Sequence, residues 1–362
     1  GVKTGFRVRD ARKICPSMIF IENDPAKYRS VTTQIFSLLS EYTDKVEPFS
    51  IDEAFMDMTG LVPTWERAQE VAQEIKNRIR SEIGEWLSCS VGISYTRFLS
   101  KQASEFKKPD GLTILKPEDL TDFLQKITLL DICGINYKMQ HRLNRIGIRT
   151  PLDLKNHPVG NILQSLGKYG YYLWSELNGM EIASVTRAEN IHPKSIGHSY
   201  CIPKQTTDKK YLQSIILKLC EKTARRMREQ KLEATTLLFG FRYVNHGGLY
   251  KHKKFADPLF STQCIYEAVL NIFNFIHLRD KVRMLAVGVS GLVPRSNQLP
   301  LFFDKTEKQR AIYNSLDNIN DRYGEFTIFL GEMHNTEKFA NDRIGFRKSV
   351  GVVEREPQKR QK

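Results

Sequence analysis

Glu47-Pro48-Phe49-Ser50-Ile51-Asp52-Glu53-Ala54-Phe55-Met56-Asp57 sets two adjacent carboxylates where two short strand-like runs, near 45–51 and 53–58, meet. Successive side chains of a strand point to opposite faces, so Asp52 and Glu53 can serve one site only at a bend, which Pro48 and Ser50 favour. Read alone, an Asp-Glu pair in a turn is most often simply solvated. The chemistry it could otherwise support is that of a hard cation such as Mg²⁺, which takes oxygens from one or two carboxylates and from substrate phosphates. On the N-terminal side, Asn23-Asp24-Pro25 is a helix start, and Tyr28, Val31, Ile35, Leu38, Leu39 and Tyr42 follow at helical spacing. On the C-terminal side the pattern predicts a helix over 64–83, a strand over 87–93, a helix near 95–106 and a strand over 112–115. This alternation is an α/β unit.

Residues 117–186 carry Gly134, Gly147, Gly167, Gly170 and Gly179 between short helical patterns, and they read as a small all-helical domain without strands. The polar, Pro-containing stretch 187–195 has linker character. Beyond it the pattern gives a strand (196–201), a helix (208–230), two strands (234–244 and 249–257), a helix (262–276) and a strand (281–292), a β-α-β-β-α-β unit of ferredoxin-like order. From 297 onward the chain is polar, with an apolar knot at 299–303, a helix over 306–322 and a basic end whose last ten or so residues are expected to be disordered. The fold class expected is therefore α+β and multidomain.

A chain of 362 residues with 41% hydrophobic content can bury more than one core. Its formal net charge of +14 suits a polyanionic partner, nucleic acid first and a membrane surface second. No apolar run of about 18 residues is present, and the opening Gly1-Val2-Lys3-Thr4-Gly5 is neither a signal peptide nor a methionine start. We expect a cytoplasmic protein without a membrane span, cut at its N-terminus. Cys15, Cys89, Cys133, Cys201, Cys220 and Cys264 lie far apart, with no zinc-like spacing, and read as reduced thiols.

Ser50-Ile51-Asp52-Glu53-Ala54-Phe55-Met56-Asp57 resembles the S-I-D-E-A-F/Y-x-D palm motif of the Y-family, DinB-like translesion DNA polymerases of bacteria. Ser90-Val91-Gly92-Ile93-Ser94, continuing through Leu99 and Lys101 to Lys108-Pro109-x-Gly111, is similar to the family's V-G-I-S…LAK…KP-x-G stretch. Lys194-Ser195-Ile196-Gly197 resembles the K-S-I-G start of its little finger. The resemblance implies a right-hand polymerase: a fingers remnant (1–18), a ferredoxin-like palm (19–116), a helical thumb (117–186), a linker (187–195), a little finger (196–296) and a tail (297–362). It implies template-directed addition of deoxynucleotides past damaged bases, two Mg²⁺ ions held by the catalytic residues Asp52 and Glu53, and Lys108 on the incoming triphosphate. Asp57 is expected to be structural. The family's remaining metal-binding aspartate, a Tyr and an Arg for the triphosphate, and the aromatic residue that rejects ribonucleotides would all lie ahead of Gly1, so the chain as given is expected to be weak or inactive. It departs from the family at Thr96-Arg97, usually Asn-Lys, and at Ser100, usually Ala.

Leu130-Asp131-Ile132-Cys133-Gly134-Ile135-Asn136, with Leu143 and Ile146-Gly147-Ile148, resembles a helix-hairpin-helix, whose Gly-rich turn brings backbone N–H groups to a DNA phosphate. Asn136 replaces the usual second glycine, and Gly167-Lys168-Tyr169-Gly170 is a second candidate turn. Between 187 and 260 there are fifteen Lys and Arg but six Asp and Glu, the charge expected of a clamp on duplex DNA. Lys222, Arg225, Arg226 and Arg228 share a helix with apolar Leu212, Ile216, Leu219 and Met227, so part of that charge is an ordinary solvated face. Lys251, Lys253 and Lys254 are the stronger candidates for DNA contact, with Lys194 beside the K-S-I-G start. Gln298, Leu299, Leu301 and Phe302 resemble the Q-L-x-L-F peptide that engages the sliding clamp. The partners expected are primed template DNA, deoxynucleoside triphosphates and a sliding clamp, bound by a monomer. The competing reading is a catalytically dead module that binds DNA and the clamp; a structure-specific nuclease leaves the S-I-D-E segment unexplained.

Overall fold

A computed structural model describes residues 1–187, 193–295, 305–336 and 338–340. The chain divides into two compact units, with the boundary between Ile191 and His192.

The first unit opens with α1 (Val8–Ile14) and α2 (Pro25–Ser40), the latter capped by Asp24, whose carboxylate accepts the Lys27 N–H at 3.1 Å. Strands β1 (Val46–Pro48) and β2 (Ala54–Met56) form an antiparallel ladder with Glu47 opposite Phe55. They are shorter than predicted because residues 49–53 leave the ladder to form the turn between them, closed by Phe49 N–H on the Glu53 carbonyl at 2.9 Å. Thr64 caps α3 (Trp65–Arg78), which runs on through a π turn at Ile79–Ile83. Then come β3 (Val91–Ser94), α4 (Arg97–Phe106) and β4 (Leu112–Leu115), with β3 and β4 parallel. Among the described residues these four strands pair as two two-stranded ladders, β1-β2 and β3-β4. Phe36, Leu39, Val46, Val71, Ile75 and Ile79 form the core beneath β1, one apolar stripe from each helix.

As predicted, residues 117–186 are helical, with α5 (Leu120–Gln125), α6 (Tyr137–Arg145), α7 (Pro151–Asn156) and α8 (Val159–Leu177), the last kinked at Gly167. Leu99 and Ala103 of α4 join the core of these helices, so β3-α4-β4 and the helical part share one interior.

The second unit has the predicted order: β5 (Ser195–Thr206), α9 (Lys209–Glu229), β6 (Leu232–Tyr243), β7 (Gly248–Leu259), α10 (Thr262–Phe273) and β8 (Val282–Pro294). The antiparallel sheet runs β5-β8-β6-β7, leaving β7 at an edge. Leu212, Ile216, Leu219 and Met227, the stripe read on α9, are fully buried against it. The region from 305, expected as a polar tail, instead packs on this unit. Helix α11 (Lys305–Tyr323) pairs Asp317 and Asp321 with Arg228 and Arg225 of α9 at 2.7 and 2.6 Å, and Met333 and Ala340 enter the core. No helix among the described residues is long and apolar enough to cross a membrane, and the six cysteines are unpaired.

Candidate active site and nucleic-acid interface

The turn that carries the acidic pair is fixed from below. Ile51 is buried and its carbonyl accepts the Thr32 hydroxyl of α2 at 2.6 Å, while the buried Ser50 hydroxyl donates to the Asp52 carboxylate. Asp52 is exposed at the apex, and Glu53 follows half-buried. Both open onto one cleft of about 980 Å³ lined also by Ser90, Gly92, Ser94, Lys101, Lys108 and Asp110. The turn thus removes the alternation that would send the two carboxylates to opposite faces.

Lys101 of α4 contacts both Glu53 and Glu105, and Lys108 reaches Glu105 at 2.8 Å. Burial pushes the Lys101 ammonium down, but Glu105 and Glu53 outweigh it, and its pKa lies above the ordinary lysine range. These four side chains alternate in sign from the apex of the turn to the 107–111 loop. The carboxylate oxygens of Asp52 and Glu53 are hard donors in an open cleft, which fits a cation that shares its shell with substrate phosphates. Among the described residues no three His, Cys, Asp or Glu side chains cluster as a metal site.

Asp57 does not join them as a partner. Its carboxylate pairs with Lys45 at 2.8 Å and accepts the Thr59 N–H at 2.9 Å. Lys45 first, then Thr59, lower its pKa to about 2 from an ordinary 3.8. A depressed folded-state value contributes stability that is complete above the unfolded value and lost as pH falls through the folded one. Asp57→Asn is therefore expected to be less stable than the parent at neutral pH, with the gap closing between pH 4 and 2 in urea titrations; a gap independent of pH would remove the Lys45–Asp57 pair from the explanation.

The departures at 96–100 now have a physical reason. Thr96 caps α4, accepting the Leu99 N–H at 3.2 Å. Arg97 forks onto the buried Glu47 at 2.7 and 3.1 Å and lies 4.2 Å over the Phe55 ring and 5.2 Å over that of Phe49, a planar arrangement a lysine cannot make. Glu47 also accepts the Thr186 N–H at 3.0 Å, and Arg187 contacts Asp44. The start of the linker stretch is thereby fastened to β1, a connection sequence reading missed. The Ser100 hydroxyl donates to the Thr96 carbonyl at 3.0 Å. Gly92 is required by packing, since a Cβ there would sit 2.1 Å from the Ser100 carbonyl oxygen.

In the helical part, Gly134 adopts φ +94° and its carbonyl accepts the Tyr169 hydroxyl at 2.7 Å. The two glycine-rich turns singled out in the sequence are thus joined. Asn136 is the N-cap of α6, accepting the Met139 N–H at 3.0 Å, which explains a side chain where a glycine was anticipated. Tyr137 beside it is exposed.

On the second unit the lysines of β7 do not share a face. Lys251 and Lys253 stand opposite Phe239 and Leu237, whose side chains face the helices, whereas Lys254 stands opposite Thr236 on the open side of the sheet. The rows Ser199–Ala286–Gly240 and Gly197–Gly288–Leu238 place small residues on that open side, with the Tyr250 ring lying against Gly240. Lys194 is exposed just ahead of β5. On α9, Arg225 and Arg228 are engaged by α11 and Lys222 lies 3.8 Å from Glu325, so much of that charge is balanced within the unit. Gln298, Leu299, Leu301 and Phe302 lie outside the described residues.

Comparison with known proteins adds an independent line. Residues 1–105 match the impB/mucB/samB family model and residues 193–301 match the model of the C-terminal domain of that family. DNA polymerase IV of Pelotomaculum thermopropionicum is 31% identical over 330 residues, 91% of this chain and 81% of that protein. DNA polymerase IV 1 of Bacillus subtilis is 30% identical over 352 residues, 96% of this chain and 84% of that one. Among solved structures, the Y-family DNA polymerase chimera Dbh-Dpo4(243-245)-Dbh superposes with a TM-score of 0.71 at 26% identity, covering 82% of this chain and 85% of the other. A post-insertion binary complex of Dbh DNA polymerase covers the same shares at 25% identity and a TM-score of 0.54.

Proposed function

The chain belongs to the Y-family of DNA polymerases, in the DinB-like DNA polymerase IV group whose function is translesion DNA synthesis, and we propose from that premise that the turn bearing Asp52 and Glu53 is the nucleotidyl-transfer centre. The observation that carries this is the opening of Asp52, Glu53, Lys101 and Lys108 onto one cleft. Asp52 and Glu53 would hold the Mg²⁺ pair together with the nucleotide phosphates and with a further carboxylate that the family places ahead of the fingers. A bound pair supplies charge stabilisation at the attacking and departing oxygens of the transferred phosphoryl group.

The protein's own contribution is arrangement. Ser50 aims Asp52 into the cleft, and Lys101 keeps Glu53 in place against its repulsion from the neighbouring carboxylate. Lys108, half exposed and resting on Glu105, is released to the triphosphate of the incoming deoxynucleotide when that stronger anion arrives. Primed template DNA is gripped by backbone N–H groups near Gly134 and Asn136 and by Lys194, Lys251, Lys253 and Lys254. Lys254, on the open side of the sheet, is the β7 lysine best placed for a phosphate. Gln298, Leu299, Leu301 and Phe302 dock a sliding clamp, a role resting on the sequence pattern.

The test is single-nucleotide incorporation on a primed template in Mg²⁺, with the chain as given and with any residues encoded upstream of Gly1 added. Incorporation that follows the template base supports the proposal. Binding of primed DNA with no incorporation by either form favours the DNA- and clamp-binding module. For the grip on DNA, Lys254→Ala is expected to weaken binding uniformly across sequences and to flatten the slope of log affinity against log salt by about one. Fluorescence anisotropy over a NaCl series measures it, and an unchanged slope would take Lys254 off the DNA.

A further inference from the structure

Two cations, Lys76 of α3 and Arg80 of the π turn that follows it, converge on one carboxylate of the loop that carries Lys108. Lys76 is 8% exposed, and its ammonium lies 2.5 Å from the Asp110 carbonyl oxygen and 3.2 Å from Oδ1. Arg80 reaches Oδ2 of the same residue at 2.9 Å. Asp110 sits at φ +53°, a left-handed position that Asp tolerates better than most residues. The far end of the loop is tied down as well: the Gly111 N–H donates to the Ser90 hydroxyl at 3.3 Å, and its carbonyl accepts the Val91 N–H at 2.9 Å. Lys108 itself keeps a half-exposed side chain.

A buried ammonium is costly to desolvate and persists only where its partners compensate. Here the Lys76 ammonium is held by both the backbone carbonyl and the carboxylate of Asp110, two residues beyond Lys108, and Asp110 lines the same cleft. We propose that Asp110, clamped by Lys76 and Arg80, is a positioning residue that fixes the 107–111 loop so that Lys108 meets the nucleotide triphosphate from a prepared backbone. The inference rests on the reading of Lys108 given above. A lysine is a point charge on a flexible stem, so ordering its backbone beforehand lowers the entropy lost when the triphosphate is captured. Arg80 and Lys76 also hold the Asp110 carboxyl below its ordinary range, so the clamp keeps its charge at neutral pH.

The experiment is single-turnover incorporation against deoxynucleotide concentration, which separates nucleotide affinity from maximal rate, in the form of the chain that extends primers. Asp110→Ala is expected to weaken nucleotide affinity about tenfold, the size of ordering one loop side chain, with the maximal rate within about twofold. Asp110→Asn, which keeps an acceptor for Lys76, recovers part of that affinity. In a Lys108→Ala background, Asp110→Ala adds nothing, because the residue acts through Lys108. Lys76→Met, which keeps the buried volume, gives the same weakening should Asp110→Ala fold poorly. Unchanged affinity in Asp110→Ala and Lys76→Met, or an equal loss with and without Lys108, overturns the positioning role while leaving Lys108 on the triphosphate. Unchanged affinity in Lys108→Ala alone overturns the reading of Lys108 and the inference with it.

Discussion

Asp52→Ala, made in the form of the chain that extends primers, lowers the maximal rate of incorporation by about two to three orders of magnitude and leaves primed-DNA affinity within about twofold. The split follows from where Asp52 sits. It is exposed at the apex of the turn, its carboxylate accepting the Ser50 hydroxyl and its N–H donating to the same oxygen at 3.3 Å, so its loss removes no core packing and none of the lysines proposed to bind DNA. Glu53 differs, because its carboxylate is also a counter-ion of Lys101, and removing it leaves that ammonium at the cleft with Glu105 alone. Glu53→Ala should therefore disturb nucleotide affinity as well as rate. Ser50→Ala, which frees Asp52 to rotate, is expected to lie between parent and Asp52→Ala in rate. Rapid-quench incorporation alongside anisotropy of labelled primed DNA measures both quantities. Equal losses of rate and DNA affinity in Asp52→Ala would place the residue in DNA binding and take it out of the chemistry.

The second large effect is on folding. Glu47→Ala is expected to lower stability by about 3–5 kcal/mol in urea unfolding at neutral pH, the range found when one partner of a buried ion pair is removed. The Glu47 side chain is 4% exposed and Arg97 18%, and the Glu47 carboxylate accepts hydrogen bonds from the Arg97 guanidinium on both oxygens and from the Thr186 N–H. The variant leaves the guanidinium among the Phe49 and Phe55 rings without its carboxylate and the Thr186 N–H without an acceptor. Glu47→Gln, which still accepts hydrogen bonds, should lose less. Amide exchange at Thr186 adds a local readout, since the linker stretch is released from β1 when the acceptor goes. A loss below about 1 kcal/mol for Glu47→Ala would mean that the pair contributes little beyond an exposed salt bridge.

Local signals made much of this fold legible. Asp24 before Pro25 announces α2, and the spans read for the second unit meet its elements in order, with Asp208 and Ser261 found as the caps of α9 and α10. What escaped the sequence depends on partners far along the chain. Asp317 and Asp321 look like the solvated face of a tail helix until α9 supplies Arg228 and Arg225, about ninety positions earlier. Met333 and Ala340 are single apolar residues without a period, so nothing in the sequence marks them as core. The site shows the same division. Asp52, Glu53 and Lys108 stand in a compact motif, whereas Lys76 and Arg97 act through Asp110 and Glu47, 34 and 50 residues away. Consecutive lysines on β7 were visible as charge, but alternation along a strand sends Lys253 and Lys254 to opposite faces, and only the register with β6 shows which is which.

Whether Asp52 is a metal ligand of a polymerase is tested most directly by changing its donor atom. A thiolate favours softer cations over Mg²⁺. Primer extension by Asp52→Cys is predicted to be silent in Mg²⁺ and to return when Mn²⁺ or Cd²⁺ is supplied, with the parent active in Mg²⁺ throughout. Full extension by Asp52→Cys in Mg²⁺ alone would contradict the assignment of Asp52 to the metal pair.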